Sequence, residues 1–393
     1  MKYKIMSIVF ALCLIAAFAA VMLGGGDVSG ENRAQSEMPE LTLENIKSGE
    51  FADGVEAYLG DKIAFRSEMI DLSQKISEYK GVDVPEGKVI LADVDMGTGE
   101  KKATNLLILD GAIMEMFSEN RAAADKYAEA LNILAENLGD IKLYSMLVPT
   151  QLEFRDELYS NLQDSQKDEI DYIYSRTDSA VNAVDVYGAL EARSGEYIYF
   201  RSDHHWTMLG AYYGYEALCA ETGAQSVSID DYEKRTINGF FGRLSAYAGT
   251  EEIKADTIEW YDVNERGNID WSMTAYKSSG ESYNYRSVLY DESRSDYDFF
   301  LGSDHAFARF TNSELPDGKT IIIICDSYAN DFAPWLMNNY KNVILIDPRT
   351  YMGSLKDTIS EYNPDEALVL NYIFTASFED YCAVLLNLCA GAA

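Results

Sequence analysis

The sequence predicts an α/β fold: a three-layer domain around a parallel sheet, with a tyrosine-rich, β-containing insertion, preceded by an N-terminal transmembrane helix. Three observations carry this. From "KVILADVD" onward, apolar β-rich runs alternate with amphipathic helical runs, the pattern of strands joined by crossover helices and buried on both faces. That rhythm breaks between about Asp231 and Asp298, where short β-like pieces sit among Ser, Asp, Gly and six tyrosines from Tyr261 to Tyr297, and resumes afterwards. The chain opens with Lys2 and Lys4 ahead of an uncharged run from Ile5 to Leu23, long enough to cross a bilayer.

Residues 1–24 read as a signal anchor. The run is longer than the apolar core of a cleaved signal peptide, and "GGGDVSGENRAQSE" follows it as a flexible exit, so retention is favoured over cleavage. With the two lysines inside, everything downstream lies outside the cytoplasmic membrane. Residues 25–50 form a linker and 51–393 the main domain. Phe51 to Gly81 has helical spacing, ends at glycine, and is expected to pack against the rest. "NLLILDG" and "IKLYSMLVPT" predict strands flanking the helix "SENRAAADKYAEALNILAENLG". Within the insertion, "DTIEWYDV" and "RSVLYDE" predict short strands. The last third reads as strand "TIIIICD", helix Tyr328 to Asn339, strand "NVILID", helix Ser354 to Glu361, strand "EALVLN" and helix Phe378 to Leu388.

Composition narrows the function. A chain of 393 residues that is 47% hydrophobic buries a real core, and 32 basic against 65 acidic residues give a net charge of −33. Such a surface repels phosphate backbones, which argues against nucleic acid as a partner; solubility explains the same charge. Cys13 lies in the apolar run. Cys219, Cys325, Cys382 and Cys389 sit in apolar patterns without CxxC spacing, and read as small buried hydrophobes; two disulfides in an oxidising compartment remain the alternative.

Two stretches carry candidate chemistry. In "KTIIIICDSYANDFAPWL" the consecutive isoleucines suit a strand buried on both faces, and Ser327 falls where strand turns into helix, at the carboxyl edge of the sheet. A serine there has free backbone N–H groups beside its oxygen that can hold an oxyanion. The plainer reading is that Ser327 or Asp326 caps a helix. In "YFRSDHHWTMLGAY" sit two of only three histidines. A serine hydroxyl needs an imidazole to take its proton, and the imidazole needs a carboxylate to fix its tautomer. On an extended segment Asp203 and His205 share a face while His204 points away, and Trp206 covers the pair. The plainer reading is a buried polar turn, with Asp203 or Thr207 capping a helix that begins near Met208. A zinc site drawn from Asp203, His204, His205, Asp304 and His305 is the rival chemistry, although adjacent histidines diverge on a strand and neither HxH nor HExxH spacing is present. The reading therefore assigns no metal and no organic cofactor.

"SDHHWT" followed by "CDSYAND" and "DPRTY" resembles the DHHW family of bacterial extracytoplasmic proteins, related to alginate O-acetylation proteins of the AlgJ and AlgX type. The likeness extends to "LENIKSGEFADGVEAYLGDKIAFRSEMI", "LVPT" and "FFLGSDHA". It implies an SGNH-hydrolase-like, flavodoxin-like domain in which the Asp-x-His motif falls on Asp203 and His205 and the serine block on Ser327. The aspartate–histidine block comes first, the reverse of ordinary SGNH esterases, and Cys325 replaces the usual glycine. By the same resemblance Asn371 and Gly353 stand roughly where oxyanion-hole residues occur; the alternatives are a strand end and a turn. Arg349 is a candidate for binding an anionic substrate or for pairing with Asp347. The insertion's tyrosines either face sugar rings or pack their own small core. The resemblance implies a membrane-anchored serine O-acetyltransferase or acetylesterase acting on cell-surface polysaccharide, with a membrane-bound O-acyltransferase as partner. The competing reading is a catalytically silent polysaccharide- or wall-binding protein on the same fold.

Overall fold

In the computed structural model the isoleucine run is the middle of a sheet, with Ile321 to Ile324 at most 2% exposed. The structure describes residues 38, 41–42, 51, 55, 58, 83–84, 86–95, 101–248, 252–266, 268–277 and 279–392. The predicted anchor, nearly all of the linker, Cys13 and most of the expected 51–81 helix lie outside them; Phe51, Val55 and Tyr58 are helical. Among the described residues no helix is long and apolar enough to cross a membrane.

The chain divides into two compact units, Met1–Leu91 and Ala92–Ala393, with the boundary inside a strand. In the first unit β1 (Asp83–Val84) runs antiparallel to the start of β2 (Gly87–Asp95). In the second, β3 (Lys101–Leu109) and β4 (Ala112–Glu115) form a hairpin whose turn uses Asp110 and Gly111, both at positive φ. Helix α1 (Arg121–Leu138) follows, capped by the Asn120 side chain on the Ala123 N–H.

Next come β5 (Lys142–Val148), α2 (Glu157–Ser160), α3 (Gln166–Tyr174), β6 (Val181–Ala183), α4 (Val186–Glu191) and α5 (Met208–Thr222). Thr207 caps α5 at its start, and Gly223 in the left-handed region ends it. The region read as an insertion supplies β7 (Lys234–Phe240), β8 (Asp256–Tyr261), β9 (Ile269–Tyr276) and β10 (Ser282–Tyr285). The chain closes with β11 (Phe307–Asn312), β12 (Lys319–Cys325), α6 (Ala333–Leu336), β13 (Tyr340–Ile346), α7 (Leu355–Tyr362), β14 (Glu366–Tyr372), α8 (Ile373–Ala376) and α9 (Glu379–Ala390).

The central sheet runs β10-β9-β11-β13-β12-β14-β5-β6. From β13 to β6 every pairing is parallel, whereas β11, β9 and β10 extend it antiparallel. The fold is thus mixed α/β on a mostly parallel centre. Numbered from β12, the parallel strands stand in the order 2-1-3-4-5, the flavodoxin-like arrangement, and β12 is the strand at its switch point. Helices α1 and α9 lie side by side, tied by Asn137 Nδ2 to the Cys389 carbonyl at 3.0 Å. Cys219, Cys325, Cys382 and Cys389 are all buried free thiols, as their apolar surroundings predict.

Three expectations need correction. The helix read over Tyr328 to Asn339 is one 3-10 turn, Ser327–Ala329, and the short α6, because Pro334 has no N–H to bond back and disfavours helical backbone at Ala333. "RSVLYDE" makes only an isolated bridge from Tyr290 to Phe300. The insertion is no appendage: β9 pairs with β11 from Phe307↔Thr274 to Asn312↔Ile269, so it widens the central sheet, while β7 and β8 form a separate two-stranded sheet.

Candidate active site

Ser327 follows β12 by two residues, and Asp326 sets its position. One Asp326 oxygen accepts from the Tyr328 N–H at 3.0 Å and so caps the 3-10 turn. The other accepts from Thr375 Oγ1 at 2.6 Å, Asn371 Nδ2 at 3.0 Å and the Tyr372 N–H at 3.1 Å. Asp326 therefore locks the carboxyl ends of β12 and β14 together and leaves the Ser327 hydroxyl, half-buried, at the sheet edge.

The Asp203–His205 segment is a string of bends rather than an extended strand. Asp256, fully buried, fixes its entrance by accepting from the Arg201 and Ser202 N–H groups, each at 2.8 Å, and from Ser202 Oγ at 2.5 Å. Asp203 Oδ2 accepts from the Arg243 N–H at 2.9 Å, and Oδ1 accepts from the His205 N–H at 3.1 Å. Across the ring, His205 Nδ1 is 2.5 Å from Asp203 Oδ1 and His205 Nε2 is 2.7 Å from Ser327 Oγ, joining residues 122 positions apart. Burial alone would raise the Asp203 pKa. The interaction with His205, through charge and hydrogen bond, together with the Arg243 amide, outweighs it and holds the carboxyl well below its ordinary range.

The neighbours differ from expectation. His204 does not point away: its ring centroid is 3.9 Å from that of His205, because the bent backbone puts both rings on the Asp203 side. Burial, then the charge of His205, lowers the His204 pKa to about 3, which keeps it neutral. Trp206 turns inward, donating from Nε1 to Asp331 Oδ1 at 2.7 Å and the Tyr328 carbonyl at 3.1 Å. Tyr297 takes the covering position. It stacks on His205 at 3.5 Å between centroids, and its hydroxyl donates to the Ser327 carbonyl at 3.0 Å.

The remaining sequence candidates separate. Asn371 is completely buried; its Nδ2 donates to Asp326 and, at 2.6 Å, to Tyr381 Oη, while its Oδ1 accepts from Tyr127 at 2.9 Å. No N–H is left for an oxyanion, so Asn371 is a brace under the serine turn. Gly353 lies on the exposed turn before α7, close against the Tyr351 ring. Arg349 pairs with Asp347, Nη2 to Oδ2 at 2.6 Å, and with Asp304 at 2.9 Å. His305 bonds to Tyr285 Oη at 2.6 Å and the Leu301 carbonyl at 2.9 Å, so it does not join the other histidines. Asp203, His204 and His205 alone bring metal-ligand atoms within 4.8 Å of one another among the described residues, but Asp203 is already bonded to His205 and Arg243.

Sequence reasoning missed Tyr297, Gly242, Asp256 and Glu115, the last in a narrow recess beside Asp203 and His204. None carries a local sequence signal; at Gly242 it is the fold that demands glycine, since a Cβ there would sit 2.3 Å from Asp203 Cβ.

The profile of the family described as DHHW protein matches residues 78–346. A crystal structure of a DHHW family protein from Eubacterium siraeum is similar at 25% identity and TM-score 0.63, over 78% of this chain and 98% of that one. PatB1 of Bacillus cereus, in a structure with a sulfonyl adduct, is similar at 17% identity and TM-score 0.59, over 71% of this chain and 98% of that one. The O-acetyltransferase domain of Pseudomonas putida AlgJ aligns at 12% identity and TM-score 0.39, over 71% of this chain and 96% of that one. No curated protein matches significantly.

Proposed function

The chain belongs to the DHHW family, and from that premise we propose that it is a serine O-acetyltransferase or acetylesterase acting on a cell-surface polysaccharide, anchored by its N-terminal helix on the outer side of the cytoplasmic membrane. One observation carries the reading: His205 Nε2 at 2.7 Å from Ser327 Oγ with Asp203 at 2.5 Å on the other ring nitrogen. A binding protein has no use for a hydroxyl, an imidazole and a carboxylate held in line; a nucleophile requires all three.

In the first half-reaction Ser327 Oγ attacks the acetyl carbonyl carbon as its proton passes to His205 Nε2, and Asp203 stabilises the imidazolium through Nδ1–H. The Ser327 N–H, at the open start of its turn, is the candidate donor to the oxyanion. Collapse breaks the carbonyl-carbon–alkoxy bond. His205 returns the proton to the leaving oxygen, and the acetyl group remains on Ser327. A sugar hydroxyl or water then repeats the sequence in reverse, giving transfer or hydrolysis. A membrane-bound O-acyltransferase that delivers acetyl groups is the proposed partner.

That PatB1 was obtained with a sulfonyl adduct makes sulfonyl electrophiles the natural probe here. Wild-type protein is expected to hydrolyse a chromogenic acetyl ester and to be labelled by a sulfonyl fluoride at Ser327; Ser327→Ala should lose both. Activity and labelling that survive the substitution would leave the polysaccharide-binding reading in its place.

A further inference from the structure

Buried polar side-chain atoms in folded proteins nearly always have a hydrogen-bond partner. Among the described residues Glu115 Oε2, Gln151 Oε1 and Arg155 Nε are buried without one. Two of them belong to side chains that line one cavity. Gln151 and Arg155 line a cavity of about 360 Å³, within the usual range of ligand sites, together with Phe154, Tyr159 and Glu196. Gln151 and Tyr199 also line a second, narrow recess, together with Glu115, Asp203 and His204.

Topology puts this cavity beside the serine. Gln151 to Arg155 follow β5, which is separated from β12 only by β14, with all three strands parallel. Their carboxyl ends thus share one edge, and the cavity begins two strand spacings, roughly 10 Å, from Ser327. His204 bridges the interval, its ring 5.6 Å from that of Tyr372 at the end of β14.

The lining defines the ligand. The Arg155 guanidinium brings N–H donors to the cavity and the Gln151 side chain an amide. In the adjoining recess Glu115, kept neutral because burial and then the Asp203 charge raise its pKa to about 8, has both a donor and an acceptor. Phe154 and Tyr159 add ring faces. An anion would meet the carboxylates of Asp110, Asp156 and Glu196 on the same wall, and a hydrocarbon would leave the polar atoms unpaired. A neutral polyol meets both demands. We propose that this cavity is a subsite for a neutral sugar residue of the glycan chain, one or two residues removed from the hydroxyl or ester handled at Ser327. This rests on the acyl-transfer reading above.

The test uses the full-length chain with Gln151→Leu and Arg155→Met, measuring kcat/KM on p-nitrophenyl acetate, which is too short to reach the cavity, and on O-acetylated xylotriose and chitotriose. The ratio of trisaccharide to nitrophenyl activity is expected to fall at least tenfold in each variant. An unchanged ratio, or neither trisaccharide serving the wild type as a substrate, overturns the subsite and leaves a cavity for water. Gln151→Glu, isosteric with the native side chain, replaces the apolar variants should they not fold. If Ser327→Ala retains ester activity, the acyl-transfer reading falls instead; the cavity is then judged by calorimetric titration of both trisaccharides, where unaltered affinity in the cavity variants overturns it.

Discussion

Tyr297 lies flat against His205, with ring planes 5° from parallel and centroids 3.5 Å apart. The stack shields one face of the imidazole from water, and the Tyr297 hydroxyl ties the same residue to the Ser327 backbone. A tyrosine from the region between β10 and β11 thereby holds base and nucleophile to each other.

Replacing this ring with an aliphatic side chain should slow the enzyme. An aromatic contact contributes about 0.5–1.5 kcal/mol beyond its area, so Tyr297→Leu is expected to reduce kcat/KM on an acetyl ester by roughly three- to tenfold. Tyr297→Phe, which keeps the stack, should stay within about twofold of wild type. Equal losses in both variants would assign the effect to the hydroxyl.

Asp203→Asn preserves shape but removes the charge that orients His205. By the general behaviour of such triads, kcat should drop by about three to four orders of magnitude. Circular dichroism must show an intact fold. A loss below tenfold would mean that Asp203 is only a turn residue.

Glu115 gives a pH dependence of stability with a definite sign. Its folded pKa is raised to about 8, whereas an unfolded glutamate ionises near 4.3. Between those values the unfolded chain binds fewer protons, so this group's contribution falls as pH rises from about 4.3 through about 8 and is fully present only below that window. Glu115→Gln should therefore melt at the same temperature as wild type near pH 4 and at a higher one near pH 8. A melting difference that is constant with pH would refute the assignment.

Asn371→Ala tests the brace. It would strip partners from Asp326, Tyr381 and Tyr127 in a fully buried cluster, and an unpaired buried polar group costs about 1–3 kcal/mol. The variant should unfold at lower denaturant. If stability is unchanged while kcat falls a hundredfold, Asn371 acts on the oxyanion after all.

Much of this was legible in the sequence because the signals were local. Four isoleucines in a row announce a doubly buried strand, and Asp-x-His with a distant Asp-Ser announces hydrogen-bonded partners whatever the chain between them does. What escaped is non-local. Whether Asp203 to His205 is extended or bent depends on Asp256, 54 positions beyond Ser202, and nothing near "SDHHW" encodes that clamp. The stack of Tyr297 on His205 joins residues 92 positions apart, so in the sequence its ring reads like any other tyrosine in a polar stretch. Pro334 is the exception, a local break inside the helix read over Tyr328 to Asn339, since it lacks the N–H that a helix interior needs.

The strand order has a consequence for recognising kin. Two proteins that present the same serine at the same switch point, one beginning its parallel strands at β12 and the other at β5, differ by a rotation of the chain around a fixed sheet. A circularly permuted variant opened just before Lys319 would keep every parallel pairing of the sheet while placing the serine ahead of the Asp-x-His segment, which makes it a practical way to ask whether the ordering of the motifs matters to the chemistry.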